Sequence, residues 1–102
     1  PETTIILAHM GGYAHNRDAI EVAKKNDNVY IDTSEVPLCY EIKEFVDALG
    51  PQKIFFGTDA PCCDPLVELK KVLLAGLSEE ELDYVLYKNA VRVMRLEEKH
   101  DN

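Results

Sequence analysis

The sequence contains no apolar run that approaches the roughly 18 residues of a membrane-spanning helix. Positive charge is also scarce, since 11 lysines and arginines stand against 19 aspartates and glutamates, for a formal net charge of −8. Nucleic acids and anionic membrane surfaces are bound through basic residues, so this balance argues against both partners. The first residues, Pro1-Glu2-Thr3-Thr4, have neither the basic region nor the apolar core of a signal peptide. We therefore expect a cytoplasmic protein.

Cysteine is scarce as well. The three cysteines, Cys39, Cys62 and Cys63, have neither the even number of a disulfide framework nor the spacing of a zinc ribbon, so we expect reduced thiols. A cysteine nucleophile needs a nearby base and electropositive surroundings. Cys62 and Cys63 instead lie between Asp59 and Asp64. The sequence therefore predicts no catalytic thiol.

Three short apolar segments recur about every 25 residues in this chain of 102 residues. They cover Thr4–Ala8, Val29–Thr33 and Ile54–Gly57, and they are rich in β-branched and aromatic residues, as strands are. A continuous apolar run that ends in turn residues is typical of a parallel strand buried on both faces. The segments therefore predict three parallel strands.

Helical patterns fill the intervals and follow the last strand. They comprise a helix over Arg17–Lys25, an apolar stripe of Ile42, Phe45, Val46 and Leu49, a helix capped by Asp64-Pro65 and bearing Leu66, Leu69 and Leu73, and a helix that opens with a capping box at Ser78–Glu81 and extends to Leu96. Alternating strands and helices require parallel strands with right-handed crossovers. The sequence predicts an α/β fold for residues 1–96, with three βα units and a C-terminal helix. The charged tail, residues 97–102, is expected to be frayed.

The candidate functional residues lie where the predicted strands end. His9 follows the first strand and Asp59 follows the third, each just before turn residues. Polar groups that do chemistry collect beyond the carboxyl ends of parallel strands, and this pair suits metal binding or proton transfer. Ser34 ends the second strand at the same edge and is a candidate for substrate contact. Helix capping or hydrogen bonding within the loop is the alternative for Ser34.

Structural alternatives exist for each of these features. Asp59 precedes Ala60-Pro61, where an aspartate also suits a turn. His9 could be a core or capping histidine, and His15 is predicted to be a solvated loop residue. Gly11-Gly12 could bind an anion through backbone N–H groups, but a tight turn is the simpler interpretation.

Several motifs follow one another in a defined order along the chain. They are Ile6–Gly12 (ILAHMGG), Asn28–Ser34 (NVYIDTS), Gly50–Pro61 (GPQKIFFGTDAP), Leu77-Ser78 and Asn89-Ala90. In order and spacing this series resembles the carboxyl-terminal part of the amidohydrolase-2 group of metal-dependent hydrolases, which are (β/α)8 TIM barrels. The resemblance extends from about Thr4 to Leu96. It implies that the three strands correspond to the sixth, seventh and eighth strands of such a barrel.

The resemblance also implies roles for the two candidate residues. His9 falls on a histidine that ligates a metal or polarises the substrate and the attacking water. Asp59 falls on an aspartate that ligates a divalent metal, expected to be zinc, and takes a proton from metal-bound water. The implied substrate is a small molecule, either an amide, an ester or a lactone, or a carboxylic acid in those members that decarboxylate.

One part of the family pattern is missing. The resemblance implies a His-x-His pair on the first strand and a histidine on the fifth, but this chain has only His9, His15 and His100. A catalytic zinc usually has three protein ligands. We therefore expect no competent site in this chain alone, and the absence of an initiator Met predicts processing or a longer parent chain. The alternative is a non-catalytic α/β domain that self-associates to cover its open sheet edges.

Overall fold

The computed structural model describes residues 2–12 and 14–96. Its strands and helices, in chain order, are β1 (Ile5–Leu7), α1 (Asn16–Lys25), β2 (Val29–Asp32), α2 (Cys39–Leu49), β3 (Ile54–Phe55), α3 (Pro65–Leu73), α4 (Glu79–Asp83) and α5 (Asn89–Val93). The tail that was expected to be frayed, including His100, lies outside the described residues. None of the helices in the described ranges is long and apolar enough to cross a membrane.

The three strands form one parallel sheet in the order β1-β2-β3, which confirms the predicted α/β architecture. Each strand is shorter than its apolar segment. β1 stops at Leu7 because His9 and Met10 adopt left-handed backbone conformations, with φ of 60° and 51°. β3 stops at Phe55 because the N–H of Phe56 donates to the carbonyl of Val85, in the C-terminal helical region, instead of to a strand. The apolar segments therefore include the first residues of the turns.

The core lies between the sheet and the helices that cover it. Ile31 of β2, Ile54 of β3 and Val72 of α3 are fully buried. The predicted stripe of α2 is confirmed at three of its four positions by the burial of Ile42, Phe45 and Val46, while Leu49 is partly buried against the same core. Burial of such side chains is the main favourable term in folding, at about 1.5–3 kcal/mol for each fully buried Val, Leu, Ile or Phe.

α3 begins as predicted but packs through a different face. The side chain of Asp64 accepts a hydrogen bond from the N–H of Leu66, so the expected N-cap is present. Leu66 and Leu73 are exposed, whereas Glu68 and Val72 are buried. In this orientation Glu68 accepts a hydrogen bond from the N–H of Glu35, in the loop after β2. Of the three predicted leucines, Leu69 alone is partly buried.

The C-terminal helical region extends over residues 79–93 with one wide turn in its middle. The predicted capping box is present, since the N–H of Glu81 donates to Ser78 Oγ and the N–H of Ser78 donates to Glu81 Oε1. Residues Tyr84–Lys88 form a π-helical turn between α4 and α5. The helix ends at Val93, so Leu96 lies beyond it and is exposed.

Asn89 joins this helical region to the sheet. Its side chain is fully buried, and Nδ2 donates to the carbonyl oxygens of Pro51 and Ile54, both at 2.7 Å. Buried carbonyl groups need such donors, since an unpaired one costs about 1–3 kcal/mol. Asn89 therefore fixes the start of β3 against the helix.

Asp32 joins the ends of the strands. It is the last residue of β2, and its Oδ1 accepts hydrogen bonds from the N–H of His9 (3.2 Å) and from the N–H (2.9 Å) and Oγ (2.6 Å) of Ser34. The other carboxylate oxygen faces Gly57, where an added Cβ would lie only 2.9 Å from it. Asp32 thus contacts the residues that follow β1, β2 and β3.

Asn89→Ala is expected to reduce the free energy of unfolding by about 1–3 kcal/mol, because two buried carbonyls lose their donor. Asn89→Asp is expected to cost more, because a carboxylate oxygen would face both carbonyls. Urea denaturation measures both effects. Asn26→Ala is the control, since the exposed Asn26 amide donates to a single carbonyl within α1, that of Val22. A loss as large for Asn26→Ala as for Asn89→Ala would contradict this role.

Asp32→Ala is expected to lower the unfolding free energy by about 2–3 kcal/mol, because the N–H of His9 loses a charged acceptor. Asp32→Asn retains one acceptor oxygen and should lose less. Gly57→Ala should destabilise in the same direction, since its Cβ would press on Asp32. Equal losses for the two Asp32 variants, or a neutral Gly57→Ala in urea denaturation, would show that this carboxylate does not organise the strand ends.

Candidate active site at the carboxyl edge of the sheet

His9 is positioned by a left-handed turn directly after β1. The turn is stabilised by the fully buried Met10, whose carbonyl accepts from Asn16 Nδ2 at 2.8 Å, and by a 2.8 Å bond from the N–H of Gly12 to the carbonyl of His9. Left-handed conformations are unfavourable for residues other than glycine, so these contacts offset a local cost. The turn directs the His9 side chain across the end of β2.

Ser34 contacts one nitrogen of the His9 ring. Nδ1 lies 2.9 Å from Ser34 Oγ and 3.3 Å from the Ser34 carbonyl oxygen. The single hydroxyl proton of Ser34 is donated to Asp32, so Oγ acts as an acceptor towards His9. Because both groups facing Nδ1 are acceptors, Nδ1 carries a proton. The other ring nitrogen, Nε2, is left to face the open edge of the sheet.

Two carboxylates face Nε2 of His9. Glu35 Oε2 lies 3.2 Å away and Asp59 Oδ2 lies 3.9 Å away. The three side chains are between 34% and 41% exposed, so ions and small molecules can reach them. The structure therefore brings His9 and Asp59 together at one edge, as their places after β1 and β3 led us to expect. Their catalytic and metal-binding roles stay predictions.

Glu35 was missed by the sequence analysis. It has a left-handed backbone with φ of 58°, and its N–H donates to Glu68 Oε1 at 2.5 Å. Glu68 is 2% exposed, and its other oxygen lies 2.7 Å from Lys71 Nζ. An ion pair on α3 thus anchors the loop that presents Glu35. The sequence did contain one signal for this contact. Glu68 lies four positions before the core residue Val72, so this acidic residue is on the same face of the helix.

Two thiols lie on the far side of Glu35. Cys62 Sγ and Cys63 Sγ are 3.6 Å and 3.5 Å from Glu35 Oε1. Desolvation of the half-buried thiol, together with its contact to Glu35, raises the pKa of Cys63 to about 11. Glu35, Asp59, Cys62 and Cys63 each place one donor atom within 4.8 Å of the others. These donor atoms are of the kinds that bind divalent metals.

The remaining candidates have simpler surroundings. Ser34 is buried and its hydroxyl contacts Asp32 and His9, so a substrate contact for Ser34 stays a prediction. His15 is exposed and lies 3.1 Å from Asp18. Gly11 has φ of 84°, and an added Cβ would lie 2.9 Å from that of Ala19, as expected for a tight turn.

A pocket of about 180 Å³ adjoins the His9 side chain. Its walls come from the turn after β1 and from residues that precede or begin α2, including Gly12, Glu35, Val36 and Pro37. Apolar walls with a few convergent polar groups are typical of small-molecule sites. A small molecule in this pocket would lie beside His9.

A profile of the family described as amidohydrolase matches residues 1–96. No curated protein matches the sequence. Members of the amidohydrolase-2 family are metal-dependent, which agrees with the group of metal-binding donor atoms around Glu35 and Asp59.

Three solved structures illustrate the similarity of fold. The 5-carboxyvanillate decarboxylase of Sphingomonas paucimobilis has a TM-score of 0.72 at 20% identity, over 90% of this chain and 33% of that chain. The 2,6-dihydroxybenzoate decarboxylase of Rhizobium has a TM-score of 0.74 at 19% identity, over 91% and 35%. An amidohydrolase of Burkholderia multivorans with bound HEPES has a TM-score of 0.63 at 18% identity, over 93% and 45%.

The chain spans from one third to less than half of the length of these structures. Similar structures include TIM-barrel proteins, and at these identities the likeness shows a shared α/β fold. The family profile, in contrast, covers nearly the whole chain. On that match, the chain belongs to the amidohydrolase family.

Proposed function

We propose that this chain forms the C-terminal part of the active site of a metal-dependent hydrolase of the amidohydrolase-2 type. In this proposal β1, β2 and β3 are the sixth, seventh and eighth strands of the barrel. The observation that carries it is the approach of His9 Nε2 and Asp59 Oδ2 to 3.9 Å. Active sites of TIM barrels lie at this carboxyl edge of the sheet.

The donor set fits a divalent ion. In the described residues the Asp59 carboxylate has no hydrogen-bond donor within reach, so its oxygens are available to a cation, and His9 offers Nε2 beside it. Imidazole and carboxylate groups are ordinary zinc ligands. A divalent ion bound there would lower the pKa of a coordinated water. The third ligand that a catalytic zinc needs would come from strands that this sequence does not contain.

The residues of this chain then have distinct roles. Asp59 would bind the ion through one oxygen and accept a proton from the attacking water with the other. Asp32 and Ser34 hold His9 with Nδ1 protonated, which orients Nε2 toward the substrate. His9 would polarise the scissile carbonyl or donate a proton to the leaving group.

A second reaction is favoured by the decarboxylases of aromatic acids among the similar structures. Decarboxylation requires a cation to hold the carboxylate of the substrate and an acid to protonate the carbon that loses CO2. Asp59 would serve the first requirement as metal ligand, and His9 would serve the second. The pocket beside His9 would take the aromatic ring of a small carboxylic acid.

A non-catalytic, self-associating domain remains the alternative to both reactions. It is supported by exposed apolar side chains on and after α3, among them Leu66, Val67 and Leu74, and by Ile5 on the outer strand β1. A mass that rises with concentration, without a bound metal, would favour this alternative.

Asp59→Asn is expected to lower kcat by about 10²–10⁴-fold in the polypeptide as its source cell makes it, because a general base is lost. The urea midpoint should change little, since the side chain is 41% exposed. Rates are measured with aryl esters, lactones and aromatic carboxylic acids, so the same assay identifies the reaction. Asp47→Asn is the matched control, because within the described ranges Asp47 pairs only with Lys43 on α2.

Normal turnover by Asp59→Asn would refute the proposed mechanism. The 102-residue chain alone should show no turnover with any divalent ion, because its ligand set is incomplete. Turnover by this chain alone would mean that His9 and Asp59 suffice together with other ligands of this chain.

Cys63 is expected to react slowly with iodoacetamide in metal-free chain at pH 7–8, because its pKa of about 11 leaves it almost entirely protonated. Its rate should rise as the pH approaches 11. Glu35→Gln should speed alkylation near neutral pH by removing a carboxylate that favours the thiol form. Glu44→Gln, an exposed change on α2, is the control. Rapid alkylation of Cys63 at pH 7 would contradict the raised pKa and reopen a nucleophilic role.

A further inference from the structure

The loop after β3 presents two adjacent thiols that the proposed acid–base chemistry does not use. The carbonyl of Asp59 accepts hydrogen bonds from the N–H groups of Cys62 (3.0 Å) and Cys63 (3.3 Å). These bonds place the two thiols and the Asp59 carboxylate on one tight turn. Both sulfurs face a single oxygen of Glu35, which comes from the loop after β2.

The spacing of these donors matches a tetrahedral metal site. With Zn–S near 2.3 Å and Zn–O near 2.1 Å, a sulfur and an oxygen bound to one tetrahedral ion lie about 3.6 Å apart. The distances from Glu35 Oε1 to Cys62 Sγ and Cys63 Sγ are 3.6 Å and 3.5 Å. An oxygen of Asp59 completes a group of four donors within 4.8 Å. Two of the six separations therefore match a tetrahedral ion, and the other four are no longer than 4.8 Å.

The donor types select the kind of ion. Two sulfur ligands favour borderline and soft cations such as Zn²⁺ and Cd²⁺, whereas Mg²⁺ and Ca²⁺ prefer oxygen ligands alone. Cys62 and Asp59 are exposed, so an ion can enter from solvent. The net charge of −8 also attracts cations to the chain.

Glu35 is held in place before any ion binds. Its N–H donates to the buried carboxylate of Glu68, and its second oxygen, Oε2, lies 3.2 Å from His9 Nε2. Outer contacts of this kind orient a ligand carboxylate and strengthen binding. Oε1 is thereby left pointing at the two sulfurs.

We propose that Cys62, Cys63, Glu35 and Asp59 bind one thiophilic divalent cation of the zinc class. On binding, each thiol releases its proton to solvent and each sulfur donates an electron pair to the ion, with no change of oxidation state. The site needs no ligand from outside this chain. It goes beyond the proposed function, and because both use Asp59, an ion in this site would take an oxygen that the proposed mechanism assigns to the catalytic ion or to the attacking water.

Cadmium titration of the reduced, metal-free chain tests the site. Thiolate coordination to Cd²⁺ produces an ultraviolet charge-transfer band, which should saturate at one ion per monomer, while excess Mg²⁺ should not displace the ion. Native mass spectrometry should show one ion on a single chain. Zn²⁺ should compete with Cd²⁺ for the same band.

Matched variants identify the ligands. The band should be lost in the Cys62→Ser, Cys63→Ser double variant and retained in Cys39→Ser, which removes the one other thiol. Glu35→Gln should weaken cadmium binding at least about tenfold, since loss of even an outer contact of a metal ligand costs that much. Far-UV circular dichroism checks that each variant is folded.

Three results would overturn the site. They are a band that persists in the double cysteine variant, an ion that bridges two chains, and an affinity that is unchanged in Glu35→Gln. The measurement is of binding by this chain and not of turnover. A failed cadmium test would not refute the proposed role of Asp59 as a base. A failed Asp59 activity test would likewise not refute cadmium binding.

Discussion

The arrangement of the carboxyl edge depends on one carboxylate, that of Asp32. Its Oδ1 accepts hydrogen bonds from the backbone of His9 and from both the backbone and hydroxyl of Ser34. These bonds stabilise the left-handed turn at His9, and in one of them the Ser34 hydroxyl donates its only proton to Asp32. Nδ1 of His9 therefore donates to Ser34, because an oxygen without a free proton can only accept. The orientation of the reactive nitrogen is thus set from the end of the neighbouring strand.

A second carboxylate, that of the buried Glu68 in α3, positions the Glu35 loop at the same edge of the sheet. Glu68 is almost fully buried, and it is paired with Lys71 while it accepts from the N–H of Glu35. Removing one partner of a buried ion pair destabilises the fold, because the other charge stays buried without compensation. The rotation of α3 that buries Glu68 also exposes Leu66 and Leu73. The same orientation of α3 thus holds the loop that carries Glu35 and leaves these two leucines exposed in this chain.

The sequence was sufficient to predict the parallel sheet, the caps of α3 and α4, and the meeting of His9 with Asp59, because these follow from periodicity and from strand direction. The parts that it did not predict depend on contacts distant along the chain. Glu35 lies in a loop with no pattern, and its position is set by Glu68, 33 residues away. Asp32 was assigned only to a strand. An aspartate at the end of a buried strand also indicates a residue that binds the neighbouring strand ends.

The two outer strands of the sheet are not equally open. Backbone groups of a strand point alternately to its two neighbours, and the carbonyl of Phe55 accepts from Thr33 on the β2 side. The adjacent groups on the other side are occupied: the carbonyl of Ile54 by Asn89, and the N–H of Phe56 by Val85. In this chain the helical region thus occupies the side of β3 at which the first strand of a closed barrel would pair, so closure of the proposed barrel requires this region to move. β1 has no such cover among the described residues, and His9 directly follows it. Strands added at β1 would therefore bring further ligands next to His9, where the proposed metal centre lacks them.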